Sequence, residues 1–258
     1  MLQYLQEIKK RKDLMIYLVT SGLKAQHRNS YLGYVWWLLD PLLGIGIYYF
    51  LMVILLNRGG PDYGGFLVVG MVAWRWVSST VNASAKSIVT QSGIVSKVYL
   101  PKAIFPIGTA LSQLINFFFG LLIIIIYLLI SRTVPGINLL WLPLVMLVQF
   151  LFLLAIGLII AYLCVFIRDI DNITTHVMRL WFYASPVIWE RGRLPARLSW
   201  IVKYNPISAI LASYRNILLH NGAPELKKLM IIGLFSLALV AALLAFYHQN
   251  EHKIIKAL

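Results

Sequence analysis

Hydrophobic residues in this chain gather into six long runs, and polar residues fill the stretches between them. The runs cover about Tyr34–Leu56, Tyr63–Ala85, Ala103–Ile130, Leu139–Ile167, Asn172–Trp189 and Leu229–Tyr247. Each is long enough to cross a bilayer core, which needs about 20 apolar residues when helical. Turn-forming clusters separate them: Asn57-Arg58-Gly59-Gly60-Pro61-Asp62, Pro135-Gly136, and Arg168-Asp169-Ile170-Asp171. Residues 4–29 are different. Tyr4, Leu5, Ile8, Met15, Leu18, Val19 and Leu23 recur at helical spacing with basic residues between them. That pattern predicts an amphipathic helix lying in the membrane interface. Residues 190–228 are mixed. Asn205-Pro206 reads there as an N-cap followed by Pro at the first helical position. It predicts a re-entrant or interfacial helix from Pro206 to about Leu219, ended near Asn221-Gly222.

Composition agrees with the pattern. Hydrophobic residues make up 60% of the chain and charged ones 12%, and the mean hydropathy is +0.79. The expected fold is all-α: one integral membrane domain over residues 1–258, with six transmembrane helices, an N-terminal interfacial helix and outer re-entrant helices. No polar stretch is long enough to fold as a separate soluble domain. Met1–Thr20 does not read as a signal peptide, because its apolar run Leu14–Val19 is short and no cleavage site follows.

Charge sets the orientation. With the N-terminus inside, the inner segments hold twelve Lys and Arg, and the first two outer loops hold only Arg58 and Arg132. Cytoplasmic loops carry the excess of Lys and Arg, so the N-terminus is expected to be cytoplasmic. Residues 190–228 break the rule. They carry Arg191, Arg193, Arg197, Lys203, Arg215, Lys227 and Lys228 on the outer side. The formal net charge of +14 fits topology and anionic lipid headgroups better than nucleic acid. An anionic substrate is the sharper reading of the same charge.

Few residues offer chemistry. Cys164 is the single cysteine, which excludes a disulfide framework and a cysteine metal site. His248 and His252 supply only two ligands, so no metal site is expected. Arg75, in Trp74-Arg75-Trp76, falls near the middle of the second run, whose sequence holds no carboxylate to neutralise it. At that depth an Arg costs ~2.5–3.5 kcal/mol on insertion scales, so it must face protein or water. Two readings stay open: it meets an anionic group of a transported substrate, or it pairs with a polar group on another helix. Trp74, Trp76, Trp181 and Tyr183 are the aromatic candidates for a transport path. Tyr34, Trp36, Trp37, Tyr63, Trp141, Trp189 and Tyr247 lie near run ends and read as an interfacial belt. Asp40 is expected to cap backbone groups freed by Pro41, and Pro186 is expected to kink the fifth run. Around Arg168 and Asp169 the turn reads as a cap with an internal ion pair, or as a contact to a cytoplasmic partner. No phosphate-binding loop occurs in the sequence, so any ATP-driven pumping needs a nucleotide-binding partner.

An ordered set of segments resembles one known family. They are Tyr31-Leu32-Gly33-Tyr34-Val35-Trp36-Trp37-Leu38-Leu39-Asp40-Pro41, Gly70-Met71-Val72-Ala73-Trp74, Lys97-Val98-Tyr99-Leu100-Pro101-Lys102, Phe105-Pro106, Phe166-Ile167-Arg168-Asp169-Ile170, Ser185-Pro186-Val187-Ile188 and Tyr204-Asn205-Pro206, with Tyr214-Arg215 after them. The chain is similar over nearly its whole length to permease subunits of ABC exporters for lipid-linked cell-envelope polymers: wall teichoic acid, O-antigen and capsular polysaccharide. The resemblance implies a non-catalytic homodimer in the bacterial cytoplasmic membrane, paired with two copies of a separate ABC ATPase that binds ATP and Mg. It implies a polymer carried on undecaprenyl diphosphate, and outer re-entrant helices around Asn205, Pro206 and Arg215. It also places a coupling helix at about Ile88–Val98, with Gln91, Ser92, Gly93, Ile94, Val95, Ser96 and Lys97 facing the ATPase. Arg75 departs from the family pattern. The basic outer segment tips the expected polymer toward teichoic acid. Two rival classes are a membrane-embedded enzyme on lipid-phosphate substrates, which lacks a carboxylate or His cluster here, and a drug-exporting ABC permease.

Overall fold

The computed structural model describes residues 2–26, 31–57, 59, 60, 62–95, 100–193 and 195–258. Every regular element among them is helical. Two short helices open the chain, α1 (Leu2–Lys10) and α2 (Lys12–Gln26), with the break at Arg11. The long elements are α3 (Trp36–Tyr49), α4 (Tyr63–Lys86), α6 (Ile104–Ile130), α7 (Leu142–Phe166), α8 (Ile170–Ala184) and α11 (Leu226–Ala257). Shorter helices are α5 (Ser92–Val95), α9 (Ser199–Tyr204) and α10 (Pro206–Leu219). Pro41 lies inside α3 without ending it, and α3 runs on into a π-helical stretch, Phe50–Leu55. Among the described residues, four helical stretches are long and apolar enough to cross a membrane: Trp36–Leu55, Ile104–Ile130, Ile137–Phe166 and Leu226–Ala257.

Helix α4 is the hub, in contact with α3, α6, α7, α8 and α10. It reaches α7 closely because Gly157 has no side chain: a Cβ there would sit 2.7 Å from Ser84 Oγ. Helix α11 packs mainly on α7, and α2 lies along α6. Two apolar clusters result. One, at the α10 end, holds Leu67, Trp76, Phe117, Leu153, Ile207 and Tyr214. The other, at the α1 end, holds Tyr4, Ile8, Ile88, Ile104, Leu158, Tyr247 and Ile254. Helix α3 fully buries only Pro41 and Ile45 among its described residues.

Three expectations change in detail. The last run, read as ending at about Tyr247, is part of a longer helix: α11 continues unbroken to Ala257, because Glu251 and Ile254 are buried against the α1 end of the molecule. Pro186 does not kink a helix. Helix α8 stops at Ala184, and Ser185 turns extended at ψ 145°, the conformation a following proline imposes. Tyr63 and Tyr247 are core residues rather than interfacial belt. They are 5% and 0% exposed, and their hydroxyls donate to the Ile188 and Leu158 carbonyls at 2.7 Å.

Candidate functional site

One face of α4 is polar through its C-terminal half, from Arg75 to Lys86. Ser78, Ser79, Asn82 and Lys86 lie three, four, seven and eleven residues after Arg75, offsets that stack on one side of a helix. Cavities line that face. The first, about 290 Å³, lies between α3, α4 and α6 and is walled by Trp37, Asp40, Arg75, Trp76, Ser79, Gln113, Asn116 and Phe117. A second shares Asp40, Arg75 and Ser79 with it and adds Met71, Trp74 and Ser78. A third shares those last three and adds Asn82, Thr175, Arg179 and Tyr183 at α8. A fourth, beside α2, shares Gln113 with the first and includes Tyr17, Ser21, Ser87, Thr90 and Gln91. The four cavities are neighbours with wall residues in common, and together they make a polar track along α4, from the α5 end to α8.

Arg75 has a carboxylate partner after all, from another helix. Its Nη2 lies 3.0 Å from Asp40 Oδ2, with the two side chains 47% and 42% exposed. Asp40 therefore faces Arg75 rather than capping α3 as expected, because a charge at membrane depth gains more from an opposite charge than from a backbone amide. Trp76 is buried and stacks on Phe117 with ring centroids 4.3 Å apart. Trp74 is buried edge-on to Trp181 at 6.3 Å. Tyr183 is 60% exposed and walls the cavity at α8. Arg179, also on α8, meets no carboxylate among the described residues.

At the opposite end of the track, Lys86 pairs with Asp171 at 2.8 Å and ties α4 to α8. Asp169 occupies the N-cap position of α8, but its side chain makes no capping bond there. Arg168 and Asp169 are exposed. The segment expected to meet an ATPase holds a 3₁₀ turn, Val89–Gln91, followed by α5. Gly93 stands exposed there with open space around it, while Ser96, Lys97 and Val98 lie outside the described residues. Behind this segment, Glu251 Oε1 of α11 accepts from the Tyr4 hydroxyl at 2.8 Å and from the Lys102 backbone N–H at 2.9 Å. Lys102 is fully buried beside it.

The α10 end is held by two polar hubs. Asn205 caps α10, its Oδ1 accepting from Ile207 N–H at 3.1 Å and from Trp181 Nε1 at 3.2 Å. Its Nδ2 donates to Ser185 Oγ at 2.8 Å, so one side chain ties α10 to the end of α8. Arg215 is 6% exposed. It donates to the carbonyls of Phe66, Pro186 and Val187 at 2.7–3.2 Å, with its guanidinium over the Phe66 ring. The surplus of positive charge here is partly spoken for. Arg191 pairs with Glu225 at 2.5 Å and donates to the Ser208 carbonyl, and Lys228 pairs with Glu225 at 2.9 Å. Burial alone would raise the Glu225 carboxyl, but hydrogen bonds from Lys228 and Arg191 outweigh it and hold the group below the usual carboxylate range.

The sequence singled out Arg75, Trp74, Trp76, Trp181 and Tyr183, and all five stand at the track, as cavity wall or directly behind it. It missed Asp40 as the partner of Arg75, and Ser78, Ser79, Asn82, Gln113 and Asn116 as wall. The helical spacing of the α4 polar residues was a readable signal. The Asp40–Arg75 pairing was not, because nothing local encodes which helix lies beside α4.

Comparison with known proteins gives the same direction. The family model described as ABC-2 type transporter matches residues 14–219. The chain is 26% identical over 247 residues to the O-antigen export system permease protein RfbA of Klebsiella pneumoniae, with 95% of each chain covered. It is 26% identical over 260 residues to the protein of the same name from Myxococcus xanthus, with 100% of each covered. With its four long apolar helices, the chain is a multi-pass membrane protein.

Proposed function

We propose that this chain, which belongs to the ABC-2 type transporter family, is the permease subunit of an ATP-driven exporter of a lipid-linked polysaccharide. The observation that carries this reading is the polar track along α4. Charged side chains at membrane depth face protein or water, and here Arg75, Asp40 and Arg179 are substantially exposed on one side of the chain. A second copy of the chain facing that side would enclose the track, and the sparsely buried α3 would gain a partner. The working unit is therefore a homodimer, with two ABC ATPase subunits that bind ATP and Mg. The α5 segment meets them through Gln91, Ser92 and Gly93 and the residues up to Lys97.

Six crossings per chain fit the helix lengths. Helix α4, at 24 residues, is about 36 Å long, and its polar stripe accounts for its lower hydropathy. Helix α8 has 15 residues, about 22 Å, and the turn through Trp189 extends it. Helix α10 has 14 residues, about 21 Å, too short to cross an apolar core of about 30 Å. With α9 it enters and leaves on the outer face, while α1 and α2 lie at the inner interface among membrane lipids, the N-terminus cytoplasmic. The polymer rides on undecaprenyl diphosphate. The case for teichoic acid rested on the basic outer segment, where Arg191, Arg215 and Lys228 have internal partners. The relatives are O-antigen export permeases, so an O-antigen-type glycan is the favoured cargo.

The test is reconstitution of the chain with its cognate ABC ATPase in proteoliposomes loaded with lipid-linked O-polysaccharide. The reading requires ATP-dependent delivery of the glycan to the face opposite the ATPase. Delivery that ignores ATP, or ATP turnover unaffected by the glycan and without delivery, would refute it.

A further inference from the structure

We infer that the cavity between α3, α4 and α6 is a station for one uncharged sugar unit of the passing polymer, built on the Arg75–Asp40 pair. The inference rests on the chain being a polysaccharide permease, and it adds the charge class of the ligand at a particular place.

Size comes first. At about 290 Å³ the cavity sits at the small end of ligand sites, which run roughly 300–1,000 Å³. It suits a single ring, not a length of chain. Its electrostatics come next. Arg75 and Asp40 are the two charged side chains in the wall, and they compensate each other at 3.0 Å. A phosphate drawn to the remaining N–H groups of Arg75 would face the repulsion of the Asp40 carboxylate held beside them. An uncharged hydroxyl meets no such repulsion.

The donors and acceptors complete the case. A sugar hydroxyl donates and accepts at once, so it needs both kinds of partner side by side. Arg75 offers several N–H groups and Asp40 two acceptor oxygens, and the pair uses one contact of each. Both side chains are nearly half exposed, so the remaining capacity faces the cavity or water. Gln113 and Asn116 on α6, joined by a 3.1 Å hydrogen bond, add amide groups of both kinds. The apolar side of a ring would lie against the indole of Trp37, since aromatic bodies with a polar edge suit ligands that are half apolar. Trp76 Nε1 is buried and meets no acceptor among the described residues.

The experiment reads charge rather than loss of a contact. Asp40→Asn, Arg75→Gln and the double variant are assembled with the ATPase in nanodiscs and proteoliposomes. Export is measured per assembled complex with two probes on the same polyprenyl diphosphate: a neutral heptasaccharide and a poly(glycerol phosphate) oligomer of equal length. For an uncharged ligand, each single variant strands one charge and should export the neutral probe at least tenfold more slowly. The double variant restores neutrality with donors and acceptors in place, and should recover to within about threefold of wild type. If Asp40→Asn matches or exceeds wild type, or gains most with the phosphate probe, the ligand is anionic and the inference fails. If all three variants export normally per complex, the pair is only a brace between helices and the inference fails too. Absence of export by the wild-type complex would instead overturn the polysaccharide permease reading itself.

Discussion

Arg215→Met removes a guanidinium but keeps most of the side-chain volume, so it isolates the polar part of the α10 anchor. The wild-type group makes four hydrogen bonds to three carbonyls. Phe66 is in the first turn of α4, so its carbonyl keeps a helical partner. The Pro186 and Val187 carbonyls lie in the turn after α8, where the lost donors are not replaced. Each buried orphaned acceptor costs about 1–3 kcal/mol, and relief from burying a cation offsets part of that. A net loss of about 3 kcal/mol is expected, a fall in Tm of roughly 6–12 °C for a chain of this size. Arg215→Lys should do nearly as badly, because one ammonium cannot serve three carbonyls that a planar fork reaches together. Gly70→Ala attacks the same anchor from the other side. Its Cβ would come within 2.6 Å of the Val187 oxygen and closer still to Arg215 Nη2. Gly70→Ala and Arg215→Met should therefore combine well below the sum of their single effects. The assay is thermal unfolding of the detergent-purified protein. Arg215→Met within about 1 °C of wild type, or an additive double variant, would refute the anchor.

Three further outcomes are expected. In a Cys164→Ser background, cysteines at Arg197 and Asn221 should both react with an impermeant maleimide from outside the cell, and reaction from the inside only would sink the six-crossing arrangement. Gly93→Trp should leave the chain folded, since nothing lies near that position, yet uncouple ATP hydrolysis from export; normal coupling would remove the contact from α5. Glu225 is held below its ordinary value, so its pairs stabilise the fold above the unfolded Glu pKa of about 4.3 and that contribution is lost as pH falls through the folded value. Thermal unfolding from pH 7 to pH 3 should show a smaller acid loss in Glu225→Gln than in wild type, and equal losses would mean the pairs contribute nothing.

Helix positions were largely legible in the sequence because each apolar run is a local signal. The start of α10 was legible too, since Asn205-Pro206 is a cap and an N1 proline in adjacent residues, and the helix bounds came out at Pro206–Leu219. Partners were not legible. Asp40 lies 35 residues before Arg75, and Glu251 lies 247 residues after Tyr4, distances at which composition and spacing carry no information. The basic cluster in residues 190–228 shows the same limit. A count of Lys and Arg sees surplus charge, while the fold spends Arg215 on backbone carbonyls and Arg191 on Glu225.

The bond between Tyr4 and Glu251 also orders events in time. A ribosome makes Tyr4 247 residues before Glu251. Until Glu251 is made, α1 is without the carboxylate that fixes it and the Lys102 amide is without its acceptor. The stretch that follows α5 is thus braced at Lys102 only after α11 has been released from the tunnel and has packed along α7. An ATPase that recognises the braced segment would find no docking site on an unfinished chain, so the same contact that steadies the mature protein would keep partly made copies out of the complex.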